Sequence, residues 1–194
     1  MKDTYLTIPR KAEGYYTEKR SKFYAFAHHV ETVDEVKELL AFYKKKYYDA
    51  RHVCYAYRLG SEGEVFRAND DGEPSSTAGK PILGTLMSAE LTDVVVFVVR
   101  YYGGVNLGTG GLIVAYREAA QDALSHAKVE ERQVEEIYTY TFAYPQMNAV
   151  MRVVKDMQPR IVAQDFQTTC SITLSIRQSL MPQLRQRLEK LAFS

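Results

Sequence analysis

The 194 residues are enough for one larger domain or two small ones, and either arrangement can bury a hydrophobic core. A chain with 46% hydrophobic and 25% charged residues, and with no apolar run near 18 residues, has the composition of a soluble globular protein and excludes a membrane-spanning helix. Its first residues do not form a signal peptide, and Cys54 and Cys170 lie far apart without a metal-ligand pattern, so we expect a cytoplasmic protein with reduced thiols and no cofactor or metal.

The charge is distributed unevenly along the chain. Residues 1–136 contain 18 basic and 21 acidic residues, whereas residues 137–194 contain 7 basic and 3 acidic ones, a net charge of +4. A basic C-terminal part is compatible with contact to RNA or the ribosome. A solvated surface explains four excess charges at least as well, so both interpretations stay open.

Hydrophobic periodicity predicts the elements of the first half of the chain, beginning after residues 1–19, which carry no predicted element. The predicted strands are 21–30, 51–59 and 64–68, and the predicted helices are 33–47 and 78–89. Thr32 and Glu35 form a capping box at the first helix, and Thr77 is expected to cap the second. Alternation along strand 51–59 places His52, Cys54, Ala56 and Arg58 on one face.

The stretch from Val94 to Ala127 organises the rest of the chain. Its apolar run, residues 94–99, predicts a strand buried on both faces, and helical spacing from Leu112 predicts a helix. Residues 103–111 between them include five glycines. Amides at the start of a helix lack intrahelical partners and carry partial positive charge, so a glycine loop at this point can hold an anion. The loop matches neither the Walker nor the dinucleotide motif, and a tight crossover required only for packing is the alternative.

Three groups of side chains are candidates for a functional site. The expected anion-binding residues are Arg100, Gly103, Gly104, Gly108, Thr109, Gly110, Gly111 and Lys80. The acidic loop, Asp70, Asp71 and Glu73, offers carboxylates for acid–base chemistry or a cation, or else forms a polar turn that binds its own backbone. His52 and Arg58 are candidates for the same cleft, with His52 as a proton donor or ligand, although a strand histidine is more often structural.

A charged segment with few apolar residues, 126–136, indicates a boundary between a domain of residues 1–132 and one of residues 133–194. The predicted elements beyond it are strands 137–144, 161–166 and 170–176 and helices 145–157 and 180–193. Strand, helix, strand, strand, helix is the order of a ferredoxin-like unit without its last strand. The sequence therefore predicts a two-domain α/β protein of the α+β type.

Several motifs stand in the same order as in a known family. They lie at residues 20–23, 50–58, 70–83, 99–104, 107–112 and 115–116. Through them the chain resembles the IMPACT/YigZ family, closely so over residues 15–127, and residues 133–194 resemble the small domain of bacterial members, which is similar to the last domain of elongation factor G. The sequence departs from the family at Asn106 and Val114, where basic residues are common, and at Ser76, where glycine is common.

The resemblance implies a first domain shaped like the second domain of ribosomal protein S5 and a ferredoxin-like second domain. Both shapes recur in proteins that contact RNA and ribosomes. The family's eukaryotic member acts in translational control and has an extra N-terminal interaction domain, so its activity is not transferred directly. No enzymatic activity is assigned to the family, and no catalytic residues can be carried over.

The leading hypothesis is a cytoplasmic, non-enzymatic binding or regulatory protein linked to translation. Its partners would be RNA, the ribosome or a translation factor, and a small anion is a further possible ligand. The protein would be a monomer or a weak homo-oligomer. The alternative is an enzyme for a small phosphorylated or nucleotide-like substrate, with Asp70, Asp71 and Glu73 as acid–base or metal groups and His52 assisting. That alternative predicts that the acids meet the glycine loop in one pocket. A protein-interaction module with an exposed apolar patch is a third possibility.

Overall fold

A computed structural model describes residues 3–193 and has the α+β class that the sequence predicts. The elements in chain order are β1 Thr4–Thr7, β2 Ala12–Glu18, β3 Ser21–His29, α1 Val33–Lys46, β4 His52–Leu59, β5 Val65–Asn69, α2 Gly79–Ser88, β6 Val94–Tyr101, α3 Gly108–Ser125, β7 Glu130–Gln133, β8 Glu135–Ala143, α4 Met147–Met157, β9 Arg160–Phe166, β10 Thr169–Arg177 and α5 Met181–Lys190. None of the helices within the described range is long and apolar enough to cross a membrane.

The described residues divide into two compact units. Tyr5–Arg132 form the first, and residues 133–193 with residues 3–4 form the second. The first unit contains a five-stranded antiparallel sheet in the order β2-β3-β6-β4-β5. A separate two-stranded sheet pairs β1 with β7.

Strand β6 lies at the centre of the five-stranded sheet. Its run Val94–Val99 is fully buried, because helices cover both faces of the sheet. On one face Val36 and Tyr43 of α1 pack with Phe97, and on the other face α2 and α3 pack over a second apolar cluster. A strand covered on both sides needs apolar residues at every position, which explains the uninterrupted apolar run.

In the first unit two strands were not predicted and two expectations are wrong. Strands β1 and β2 lie in the segment that carried no predicted element; β2 is an edge strand held by its full register with β3, so it needs few buried side chains. Thr77 does not cap α2: its hydroxyl donates to the Pro74 carbonyl, and the Asp70 carboxylate accepts from the amides of Ala78 and Gly79 instead. Helix α3 begins at Gly108, not at Leu112, so the last glycines of the loop form its first turn.

The second unit has an antiparallel sheet in the order β8-β10-β9. Two strands joined through α4 therefore flank a third, which is the arrangement of a split βαβ unit without its last strand. Its own core includes Val150 of α4, Leu174 of β10 and Leu184 of α5. Helix spacing of the apolar residues in α4 and α5 directs them to this one face.

Candidate functional site

The register of three neighbouring strands brings polar side chains together at one end of the first unit's sheet. Arg100 on β6 lies opposite His52 on β4 and opposite Phe23 on β3. The loop before α2 and the first turn of α3 cover this end. Between them lies a cavity of about 440 Å³, lined by His52, Glu73, Arg100, Gly108 and Thr109 among others. This volume lies within the range of small-molecule sites in proteins.

Glu73 is the centre of a buried polar cluster beside this cavity. Arg100 Nη1 donates to both carboxylate oxygens at 2.9 and 2.7 Å, and the Tyr116 hydroxyl donates to Oε2 at 2.6 Å. The Glu73 side chain is only 3% exposed, so its charge depends on these donors for stabilisation. Burial and the nearby carboxylate raise the pKa of Tyr116, which therefore remains a protonated donor.

His52 is oriented by the chain on the other side of the cluster. Its Nδ1 lies 2.6 Å from the carbonyl oxygen of Asp71, and a carbonyl can only accept, so Nδ1 carries the hydrogen. The other ring nitrogen, Nε2, then faces the Glu73 carboxylate and lies 3.1 Å from its Oε1.

The Arg100 side chain is held between two aromatic rings. Its guanidinium carbon lies 5.6 Å from the ring centres of Phe23 and Tyr102, and Arg51 lies over Tyr102 at 4.9 Å. The Tyr102 hydroxyl donates to Asn106, which fixes the orientation of the ring. Arg100 Nε is buried and has no hydrogen-bond partner among residues 3–193. A buried donor without a partner carries a free-energy penalty that a ligand or water can remove.

The first turn of α3 forms the wall opposite this cluster. Gly108, Thr109 and Gly110 are exposed, and Leu107, the residue before the helix, forms no side-chain capping hydrogen bond. Gly108 has φ +73°, a left-handed conformation that favours glycine. A Cβ added at Gly110 would meet no atom within 4 Å, whereas one at Gly103 would lie 2.2 Å from the Arg20 backbone. Packing therefore requires glycine at Gly103 but leaves the first turn of α3 open to solvent.

The predicted site residues separate into two sets. The cavity collects His52, Glu73, Arg100, Gly108 and Thr109, and an adjoining groove of about 260 Å³ is lined in part by Gly110 and Gly111. Gly103, Gly104, Asp70, Asp71, Lys80 and Arg58 are not among the residues that line either space. Lys80 is exposed on α2, and Arg58 pairs with Val94, six residues along β6 from Arg100 and roughly 20 Å away.

The acidic loop does not converge on the glycine loop as a group. Asp70 accepts three hydrogen bonds from the amides of Ser76, Ala78 and Gly79. Asp71 accepts from the amide of Val53 at 2.7 Å. Only Glu73 enters the cavity, so the prediction that all three acids share one pocket is wrong. Within the described part of the chain, no cluster of three His, Cys, Asp or Glu side chains is placed to hold a metal.

Sequence reasoning missed Arg51, Tyr102, Asn106 and Tyr116 as members of the site. Tyr116 follows Leu112 by one helical turn, and this spacing predicted only a core residue. The structure shows that Tyr116 belongs to the core as well as to the site. Arg51 lies just before β4, and only the three-dimensional structure places it over Tyr102. Buried Cys54 lies behind the cluster, where burial raises the pKa of its thiol, so it is not a reactive thiolate.

Comparison with known proteins agrees with this architecture. The protein-family model for the Impact N-terminal domain matches residues 19–124, and this range includes every residue of the polar cluster. The IMPACT family member YvyE of Bacillus subtilis is 35% identical over 158 residues, which cover 81% of this chain and 73% of that protein. An IMPACT family member of Haemophilus influenzae is 34% identical over 172 residues, which cover 87% of this chain and 84% of that protein.

A solved structure extends the similarity to both units. The crystal structure of a hypothetical protein, 27% identical in sequence, aligns with a TM-score of 0.75 over 98% of this chain and 93% of that chain. The similarity in sequence and in fold thus continues beyond the matched domain. On these grounds the chain belongs to the IMPACT family, and residues 19–124 are its Impact N-terminal domain.

Proposed function

We propose that this protein is a non-enzymatic binding protein linked to translation, and that the cavity of its first unit holds an anionic group of an RNA, ribosomal or translation-factor partner. The observation that carries the proposal is the meeting of two features in one cavity. They are the uncapped first turn of α3 and the basic side chains Arg51 and Arg100. Family membership supports the link to translation, since the resemblance of the sequence implies it.

The electrostatics of the cavity favour an anion. The helix dipole and free amides of α3 place partial positive charge at its first turn. Glu73 neutralises the charge of Arg100, which leaves the charge of Arg51 at the cavity. The basic segment 137–194, with its net charge of +4, would provide a further docking surface for a polyanion.

The enzymatic alternative is less well supported. Asp70 and Asp71 accept hydrogen bonds from backbone amides, so their geometry serves the fold of the loop. Glu73 is buried under Arg100 and Tyr116, and both of its carboxylate oxygens already accept hydrogen bonds from these side chains. None of the three is arranged as a free general acid or base.

Ribosome co-sedimentation tests the proposal. We expect the protein in ribosomal fractions at low salt, with less bound as salt rises, because contacts to phosphates release counterions. Arg51→Gln should reduce the bound fraction, whereas Arg67→Gln, which removes the same charge from an exposed position on β5, should not. Absence from every ribosomal fraction at low salt, together with no retention on RNA, would contradict the link to translation.

A further inference from the structure

We infer that the cavity beside α3 binds a single nucleotide, with one phosphate group at the first turn of α3 and the base against the Tyr102–Arg51 pair. The inference rests on the proposed function and specifies its ligand. The ligand is a nucleoside monophosphate unit, which occurs either free or as part of an RNA strand. Each half of the assignment has its own structural basis.

The phosphate position follows from two independent features. The first is the exposed start of α3, an 18-residue helix whose residues Gly108 and Thr109 line the cavity and whose N-cap residue, Leu107, forms no side-chain capping hydrogen bond. The second is Arg100, whose side chain is 7% exposed and borders the same cavity, and whose Nε is buried without a hydrogen-bond partner among residues 3–193. A phosphate oxygen accepts hydrogen bonds from backbone amides and from guanidinium N–H groups.

The number of phosphates is limited by the residues at the rim. Asn106, a neutral residue, stands at the cavity where a cation would be needed to balance a longer phosphate chain. Glu73 also cancels part of the positive charge inside. One phosphate, with up to two negative charges, matches Arg51 and the helix start, whereas a triphosphate would leave charge uncompensated.

The position of the base follows from the aromatic rim. Tyr102 is 39% exposed, its hydroxyl is held by Asn106, and the Arg51 guanidinium lies over its ring. A planar guanidinium on a fixed aromatic ring is a surface on which a base can stack. Leu107 and Pro74 add apolar lining, and about 440 Å³ is room for a mononucleotide.

Titration calorimetry with four probes tests the assignment: adenosine monophosphate, inorganic phosphate, adenosine and a short single-stranded RNA with a 5′-phosphate. We expect the monophosphate to bind at least tenfold more tightly than either phosphate or adenosine alone. Both of two further outcomes would support the assignment and would identify the ligand. Tighter binding of the RNA than of the free nucleotide would indicate that the natural ligand is part of an RNA strand, and equal binding would indicate a free nucleotide. No binding of any probe at millimolar concentration would overturn it.

Variants test the rim of the cavity. Arg51→Gln should weaken binding of the monophosphate about tenfold, since it removes both the cation that balances the phosphate charge and the guanidinium plane over Tyr102. Tyr102→Ala should abolish the preference for the monophosphate over phosphate. Arg67→Gln is the matched control and should leave affinity unchanged, and all three positions are exposed, so the fold should persist. Equal affinity of Arg51→Gln and Arg67→Gln would overturn the assignment.

The failure of this inference can be distinguished from the failure of the proposed function. If the protein co-sediments with ribosomes but binds none of the four probes, the nucleotide assignment is refuted and the link to translation is not.

Discussion

Glu73 is the residue that links the members of the polar cluster. Its side chain contacts Arg100 of β6, Tyr116 of α3 and His52 of β4, so it connects two strands of the sheet to α3 and to the loop before α2 in which Glu73 lies. The pair with Arg100 is almost completely buried. Breaking a buried ion pair is strongly destabilising because the remaining charge loses its partner without regaining water.

We therefore predict that Glu73→Gln lowers the free energy of unfolding by roughly 3 kcal/mol, because it leaves the Arg100 charge uncompensated. Urea denaturation followed by circular dichroism measures the change. Glu38→Gln, at an exposed position on α1, is the control and should alter stability by less than about 0.5 kcal/mol. Equal stability of the two variants would show that the Glu73–Arg100 pair does not hold the cluster together.

His28 contributes to the pH dependence of stability. Burial, and then the charge of Lys11, lower its pKa from 6.5 to about 4, and its Nε2 lies within hydrogen-bond distance of the Tyr43 hydroxyl. Below pH 6.5 the unfolded chain binds a proton at His28 that the folded chain excludes. The stabilisation is therefore complete above about pH 6.5 and is lost as the pH falls through 4.

His28→Gln should reduce the fall in the free energy of unfolding at low pH. Because His28 is partly exposed and solvent screens it, we expect the pH-dependent part to be about 1 kcal/mol, less than full conversion of the pKa shift. Urea denaturation between pH 4 and 7 measures the slope. His126→Gln, which replaces an exposed histidine, should keep the slope of the parent protein. An unchanged slope in His28→Gln would contradict the assignment.

At the scale of elements, β6 and α3 position the site and the glycines between them have different roles. Gly103 is required because the Arg20 backbone lies against it, and Gly104 and Gly108 adopt positive φ. Gly110 satisfies neither condition. The sequence shows only that the loop is rich in glycine, and it cannot distinguish these positions, because a distant hairpin turn provides the contact at Gly103.

Gly103→Ala and Gly110→Ala should therefore have opposite effects on stability. A Cβ at position 103 would lie 2.2 Å from a backbone carbon, and we expect a loss of about 2 kcal/mol or more from the overpacked contact. At position 110 the space is open and alanine is the better helix former, so we expect a gain of about 0.5 kcal/mol. Thermal unfolding in parallel measures both, and a destabilised Gly110→Ala protein would show that the first turn of α3 is packed in solution.

At the scale of the whole molecule, each unit completes its own hydrophobic core. Among residues 3–193, the two apolar clusters of the first unit consist of residues between Leu6 and Ala127, and the cluster of the second unit consists of residues between Tyr138 and Leu191. A segment that buries its core internally has the driving force to fold alone. The candidate site belongs entirely to the first unit.

We predict that a fragment of residues 1–132 folds independently, with cooperative urea unfolding and the circular dichroism of an α+β domain. Its nucleotide binding should equal that of the full chain. A fragment of residues 1–107 is the control: it lacks α3, exposes the sheet face that α3 covers and should not unfold cooperatively. Non-cooperative unfolding of the longer fragment would show that its core needs the remainder of the chain.

The sequence by itself determined the local structure and the family. The apolar run of β6, the alternation in β4 and the capping box of α1 are local patterns, and local patterns predict elements because backbone periodicity directs each side chain. The same residues established that a glycine-rich loop precedes a helix, although they placed the start of that helix four residues too late.

Only the tertiary structure decided which carboxylate enters the cavity. Asp70, Asp71 and Glu73 lie within four residues, and their spacing does not indicate their directions. Positive φ at Asp71 and Gly72 turns the chain, so that Asp70 caps α2, Asp71 binds β4 and Glu73 points towards Arg100. These partners come from strands and helices far apart in sequence, and no local rule relates them, because their proximity results from packing of the complete sheet.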